Sequence, residues 1–224
     1  MLSSTTVALL LADARLPSGG HAHSAGMEPA IVGGLRREDI PAFLLGRART
    51  TTLVEAGTAV VARHRFLVNG TTPGLQQVVA AWAARTPSPA LRDAARLLGR
   101  GYLRLASRTW PDDAAVRLCA ELGRPPRAIV LGAIAAATLM EPQDLVRLMI
   151  YDEAQSAASA VLKLDPLDPA VPVTWVLDTC AALDDRVDDL SRLTTPEAIP
   201  ASGAPQAEGW AEAHALLTQR LFRA

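Results

Sequence analysis

The chain has 224 residues, enough for one or two domains, and its 22 basic and 23 acidic residues nearly cancel to a net charge of −1. That balance gives no electrostatic footprint for nucleic acid or for an anionic membrane. Half the residues are apolar, so a sizeable core can form, while aromatic residues are 4% and charged residues 20%. Alanine and leucine dominate and β-branched runs are scarce. Both favour helix, and the apolar spacing repeatedly follows a period of 3.6.

In chain order, a first helix is expected over Thr5 to Ala14. It has no basic leader region and Asp13 interrupts its apolar run, so no secretory leader is expected. Leu16-Pro17-Ser18-Gly19-Gly20 breaks it, because proline cannot continue a helix and glycine admits positive φ. A short helix near Ser24 to Val32 stops at Gly33-Gly34, and a long helical stretch runs from Arg37 to Val68 with a break near Thr50-Thr51-Thr52. Thr72-Pro73 and Ser88-Pro89 each read as a cap followed by a first-turn proline. Asp112 is expected to cap the next helix, which ends at Gly123.

Ala128 to Met140 is the longest apolar run, shorter than the ~20 residues of a membrane span, and reads as a buried core helix. A long helix from Pro142 to Leu164 carries small residues at Ala154, Ala157, Ala158 and Ala160, a surface that permits close helix approach. Beyond a proline-punctuated loop, one helix is expected with Val173, Val176, Leu177, Cys180, Leu183, Val187 and Leu190 on a single face. Asp184, Asp185, Asp188 and Asp189 read as its solvated side. The expected fold is all-α, a single compact bundle of about nine or ten helices. It divides into a bundle over 1–193, a proline-, alanine- and glycine-rich linker over 194–209 and a docking tail over 210–224. On the tail, Trp210, His214, Leu217 and Leu221 fall on one helical stripe.

Cys119 and Cys180 are isolated, which suits two buried thiols in a reducing compartment rather than a disulfide framework. No phosphate-binding loop, dinucleotide fingerprint, zinc-protease or serine-hydrolase motif is present, so no catalytic and no cofactor-binding residue is assigned. Asp13 lies in the last turn of its helix, where the macrodipole disfavours a carboxylate, and is expected to brace the glycine loop through its backbone N–H groups. His21 and His23 are two apart, so on an extended segment both could reach one ion, with Glu28 as a third ligand. That combination defines an alternative reading as a small helical metal carrier or metalloenzyme. Two imidazoles alone make a weak site, so loop packing is preferred and no metal ligand is assigned. The expected contact residues are Asp13, Pro17, Gly19, Gly20, His23, Ser24 and Glu28 on the loop, and Arg220, Leu221 and Phe222 on the tail.

The segment from Leu11-Ala12-Asp13 through Leu16-Pro17-Ser18-Gly19-Gly20-His21-Ala22-His23-Ser24-Ala25-Gly26-Met27-Glu28 resembles the N-terminal signature of the urease accessory protein family UreF. Gly99-Arg100-Gly101, Leu162 to Pro169, Glu212-Ala213-His214 and Arg220-Leu221-Phe222 extend the resemblance over essentially the whole chain. His21 stands where the family usually has phenylalanine, Pro29 where alanine is commoner, and Lys163 where arginine is frequent. The resemblance implies an all-α, commonly dimeric, cytoplasmic, non-catalytic adaptor. Its implied partners are UreD (also called UreH), the GTPase UreG and the apo-urease subunits. Nickel and GTP would be handled by those partners, with no cofactor of its own.

Overall fold

The computed structural model describes residues 3–218 and 220–222, apart from the side chain of Asn69. Among these are twelve α-helices, and no strand. They are α1 (Ser4–Ala12), α2 (Met27–Val32), α3 (Ile40–Arg47), α4 (Leu53–Asn69), α5 (Thr72–Ala84) and α6 (Pro89–Thr109). The second half holds α7 (Ala114–Glu121), α8 (Arg127–Ala137), α9 (Pro142–Leu164), α10 (Ala170–Ala181), α11 (Asp184–Ser191) and α12 (Pro205–Ala215).

Caps set several starts. Ser88 Oγ accepts from the Leu91 amide at 3.2 Å. The α5 cap is Thr71, one residue before the expected Thr72, with its hydroxyl accepting from Gly74. At α7 it is Asp113 rather than Asp112 that caps, accepting from the Ala115 and Val116 amides at 2.8 and 3.2 Å. Asp112 instead meets Arg117 in solvent.

The centre is α8, buried from Arg127 through Ala136, with α4 packed along it. Gly132 makes that approach possible: a Cβ there would fall 2.7 Å from the Ala59 carbonyl oxygen and 2.8 Å from Ala62. α9 lies across both helices, and α6 and α7 cover the rest of α8. The expected break near Thr50 is a π-helical segment over Ala48–Thr52 joining α3 to α4 without a loop. Thr50 and Thr51 donate their hydroxyls to the carbonyls of Gly46 and Arg47, local bonds that compete with the regular helical ladder.

The helix expected after Pro172 is two, α10 and α11, divided at Ala182-Leu183. Only part of the expected face is buried. Val176 and Thr179 pack inward, whereas Val173 and Leu177 are exposed. The small residues of α9 decide this rotation, because α10 lays Val176 against Ala154 and Ala158. That alanine stripe is therefore covered from within the chain. The segment over 194–209 is also anchored. Ile199 sits in the main core, its carbonyl accepts from Arg85 Nε at 2.9 Å, and α12 begins at Pro205. No helix of the described residues is long and apolar enough to cross a membrane.

Candidate functional site

After α1 the chain turns at Pro17 and lays the backbone of Ser18 against α6. Two glycines of α6 create the seat. A Cβ at Gly101 would overlap the Ser18 carbonyl, and one at Gly99 would overlap the Pro125 carbonyl. Gly19 and Gly26 hold φ of +86° and +79°, the left-handed region that favours glycine. A single 3₁₀ turn over Gly20–Ala22 lies between them.

This path carries His23, Ser24 and Glu28 inward. All three are buried, not presented on an exposed loop surface. Ser24 Oγ accepts from the Glu28 amide at 3.2 Å. Pro17 and His21 stay exposed. Asp13 does not brace the glycine loop. Its carboxylate accepts from the backbone and side chain of Arg15, and that guanidinium holds the Asp13 carboxyl at about 2. Asp13 is the C-cap of α1, and Arg15 supplies the nearest cation, so local pairing wins over a longer reach.

Glu28 is where loop and tail meet. Its two carboxylate oxygens accept from the backbone amides of Leu221, at 2.6 Å, and Phe222, at 2.8 Å. His214 Nε2 lies 3.0 Å from the same carboxylate, off the line of a hydrogen bond. Phe222 fills an apolar pocket made by Met27, Ile40, Leu44, Ala157, Ala160 and Val161, and Lys163 Nζ sits 5.2 Å from its ring centre. Of the expected tail, Gln219, Arg223 and Ala224 lie outside the described residues.

The expected tail stripe divides. α12 ends at Ala215, so the 3.6-residue period stops before Leu217 and Leu221. Those two leucines and Leu216 are exposed. Trp210 and His214 remain on the docked face. Trp210 occupies the space left by the missing side chain of Gly33 and stands 6.0 Å from the Phe43 ring. Glu212 ties α12 to α6, accepting from the Ser88 hydroxyl and from the Ala90 amide at 2.9 Å. The Ser88 hydroxyl is the main reason that the Glu212 carboxyl is held below its ordinary value.

Beside this junction lies a buried ionic cluster that sequence reasoning missed. Arg47 and Arg127 both reach Glu153, and Arg127 also meets Asp152 at 2.8 Å. Burial alone would raise the Glu153 carboxyl, but Arg47 and Arg127 outweigh it and hold it low. Burial prevails at Asp152 and Glu55, pushing both up despite Arg127. Burial likewise pushes Tyr102 and Cys119 up to about 12. A signal was present: Arg127 opens a helix whose other residues are all apolar or glycine, and Asp152-Glu153 interrupts an alanine-rich one. Charges in such positions need partners.

Each Glu28 oxygen accepts from one backbone donor, and both donors belong to the terminal segment. Among the described residues, no group of three or more His, Cys, Asp or Glu side chains is placed to hold a metal ion. Helices joined by short connections, with a glycine loop and a returning terminus locked to each other, define an all-α protein whose organised site is a junction of chain segments.

The comparisons sharpen that class. The family profile described as UreF matches residues 36–178. Urease accessory protein UreF of Mycobacterium bovis (strain BCG / Pasteur 1173P2) is 39% identical over 173 residues, covering 75% of this chain and 77% of its own. The Mycobacterium marinum protein of the same name is 38% identical over 184 residues, covering 79% and 82%. That of Mycobacterium sp. (strain JLS) is 36% identical over 200 residues, covering 85% and 90%. The chain belongs to the UreF family of urease accessory proteins.

Proposed function

We propose that this chain is a non-catalytic, cytoplasmic adaptor that joins UreD to the GTPase UreG for GTP-dependent nickel insertion into apo-urease. Nickel and GTP belong to the partners, and the chain has no cofactor of its own. The observation that carries this reading is the Glu28 junction. One buried carboxylate gathers the signature loop and the terminal segment into a single composite surface. We assign its rim to Asp13, Pro17, Gly19, Gly20, Arg220 and Leu221, all at least partly exposed, while His23, Ser24, Glu28 and Phe222 are buried.

Exposed Leu216, Leu217 and Leu221 beside the docked Phe222 give the rim apolar contact area for UreD. A homodimer would use another face. Val171, Val173 and Leu177 on α10 are exposed and apolar, and the alanine stripe of α9 is already covered.

Deleting the gene should leave urease polypeptide made but short of nickel, measured as metal per purified urease. Normal nickel loading in that strain would refute the adaptor. Pull-downs with UreD and UreG, each omitted in turn, order the contacts. Removing the last five residues should weaken UreD capture before it lowers the melting temperature.

A further inference from the structure

A cavity of about 330 Å³ opens between the π-helical segment, α6 and α12. This volume is near the lower end of small-molecule pockets, roughly 300–1,000 Å³. One side is apolar, with Leu91, Ala94 and Leu98 of α6. The other side carries Arg47, the last residue of α3, and Thr52, the last residue of the π-helical segment.

Both have hydrogen-bonding capacity left over. The Arg47 side chain is 9% exposed and commits Nη2 to Glu153, while its Nε and Nη1 have no hydrogen-bond partner. Thr52 is 1% exposed, and its hydroxyl is also without one. Thr50 and Thr51 satisfy their hydroxyls on backbone carbonyls, so Thr52 is the exception in the segment. A buried donor left unmet is costly, which favours an occupant able to accept from these groups. Gly26 leaves room for the guanidinium, since a Cβ there would fall 2.9 Å from Arg47 Nη1. π-helical insertions of this kind are frequent at ligand sites.

Arg47 selects the sign of the occupant. It is a cation whose Nε and Nη1 can only donate, so the cavity favours an occupant with negatively charged acceptor oxygens. We propose that the cavity binds a small organic monocarboxylate, its oxygens accepting from Arg47 and Thr52 and its short carbon body lying against Leu91, Ala94 and Leu98.

The test uses the full chain, with sodium butyrate titrated calorimetrically at constant ionic strength and acetate, bicarbonate, chloride and n-butylammonium as separate arms. The expected result is one butyrate per chain, bound about tenfold tighter than acetate, with chloride and n-butylammonium inert. Thr52→Val should weaken butyrate about tenfold, the loss expected for one hydrogen bond to a charged group. Ala94→Phe fills the apolar side without touching the donors and should abolish binding while leaving helical circular dichroism intact. Should Thr52→Val fail to fold, Ala94→Phe decides alone. No saturable butyrate binding, or binding that survives Ala94→Phe, overturns the proposal. So does bicarbonate binding at least as tightly as butyrate, because an inorganic ion makes no use of the apolar wall.

Discussion

Glu153 and Glu28 are both carboxylates withdrawn from water, yet different donors satisfy them. Glu153 meets two guanidiniums from separate helices at the centre of the bundle. Glu28 meets two backbone amides of the chain's terminal segment at its edge. Losing a partner in the first case strands charge between helices that have nowhere to go. In the second case the partner is a tail that can lift away, taking Phe222 with it and returning the carboxylate to solvent. The centre is built to stay closed, while the edge holds a segment that can exchange one surface for another.

The contrast can be broken from the centre first. Arg127→Met should cost about 3–5 kcal/mol in urea unfolding, because Asp152 and Glu153 are left without their shared cation. Its pH dependence follows from the carboxyls. Glu153 is held low in the folded chain, so its stabilising contribution is full above the ordinary carboxylate range and is lost as pH falls from that range down through its lowered folded value. Asp152 and Glu55 are held high and act in the opposite direction, contributing stability at low pH that fades as pH rises. Without Arg127, Asp152 loses its cation and Glu153 keeps only Arg47, so both are held less strongly in the ionised form. The gap between wild type and variant should be widest near neutrality and should shrink toward about pH 4, where free carboxyls protonate. A gap independent of pH would mean that packing, not charge, sets the cost.

At the edge, Phe222→Ala should cost about 2–3 kcal/mol of tail docking, somewhat below a fully enclosed phenylalanine because a terminus frays. Hydrogen exchange at Leu221 and Phe222 would report it, with α8 amides unchanged. Glu28→Ala should follow at about 1.5–3 kcal/mol, the range for one hydrogen bond to a charged acceptor, because the two freed amides lie at a terminus that water can reach, with the same localised exchange signature. If either substitution loosens α4 or α8 as much as the tail, centre and edge form one cooperative unit. Smallest is Ser88→Ala, about 1 kcal/mol for a lost helix cap. It also removes a bond to Glu212, so the protection it loses should spread from α6 into α12.

Amino-acid order alone determined the helical class, most of the breaks and the inward burial of the apolar run from Ala128 through Ala136, though not of Leu139 beyond it. Those depend on local physics: proline lacks an amide hydrogen, capping side chains act within three residues, and an apolar run of that length has one place to go. It also singled out the loop and the tail, through composition and through their resemblance to a family. Tertiary structure alone decided what those segments touch. Nothing in the spacing of Glu28 and Phe222, nearly two hundred positions apart, announces that one carboxylate holds the other's amide. Nor could periodicity show that Val173 and Leu177 face outward, since the alanines of α9 choose which side of α10 they accept. Arg47, Arg127 and Glu153 come from three helices, and their partnership exists only once burial makes an unpaired charge too costly to keep.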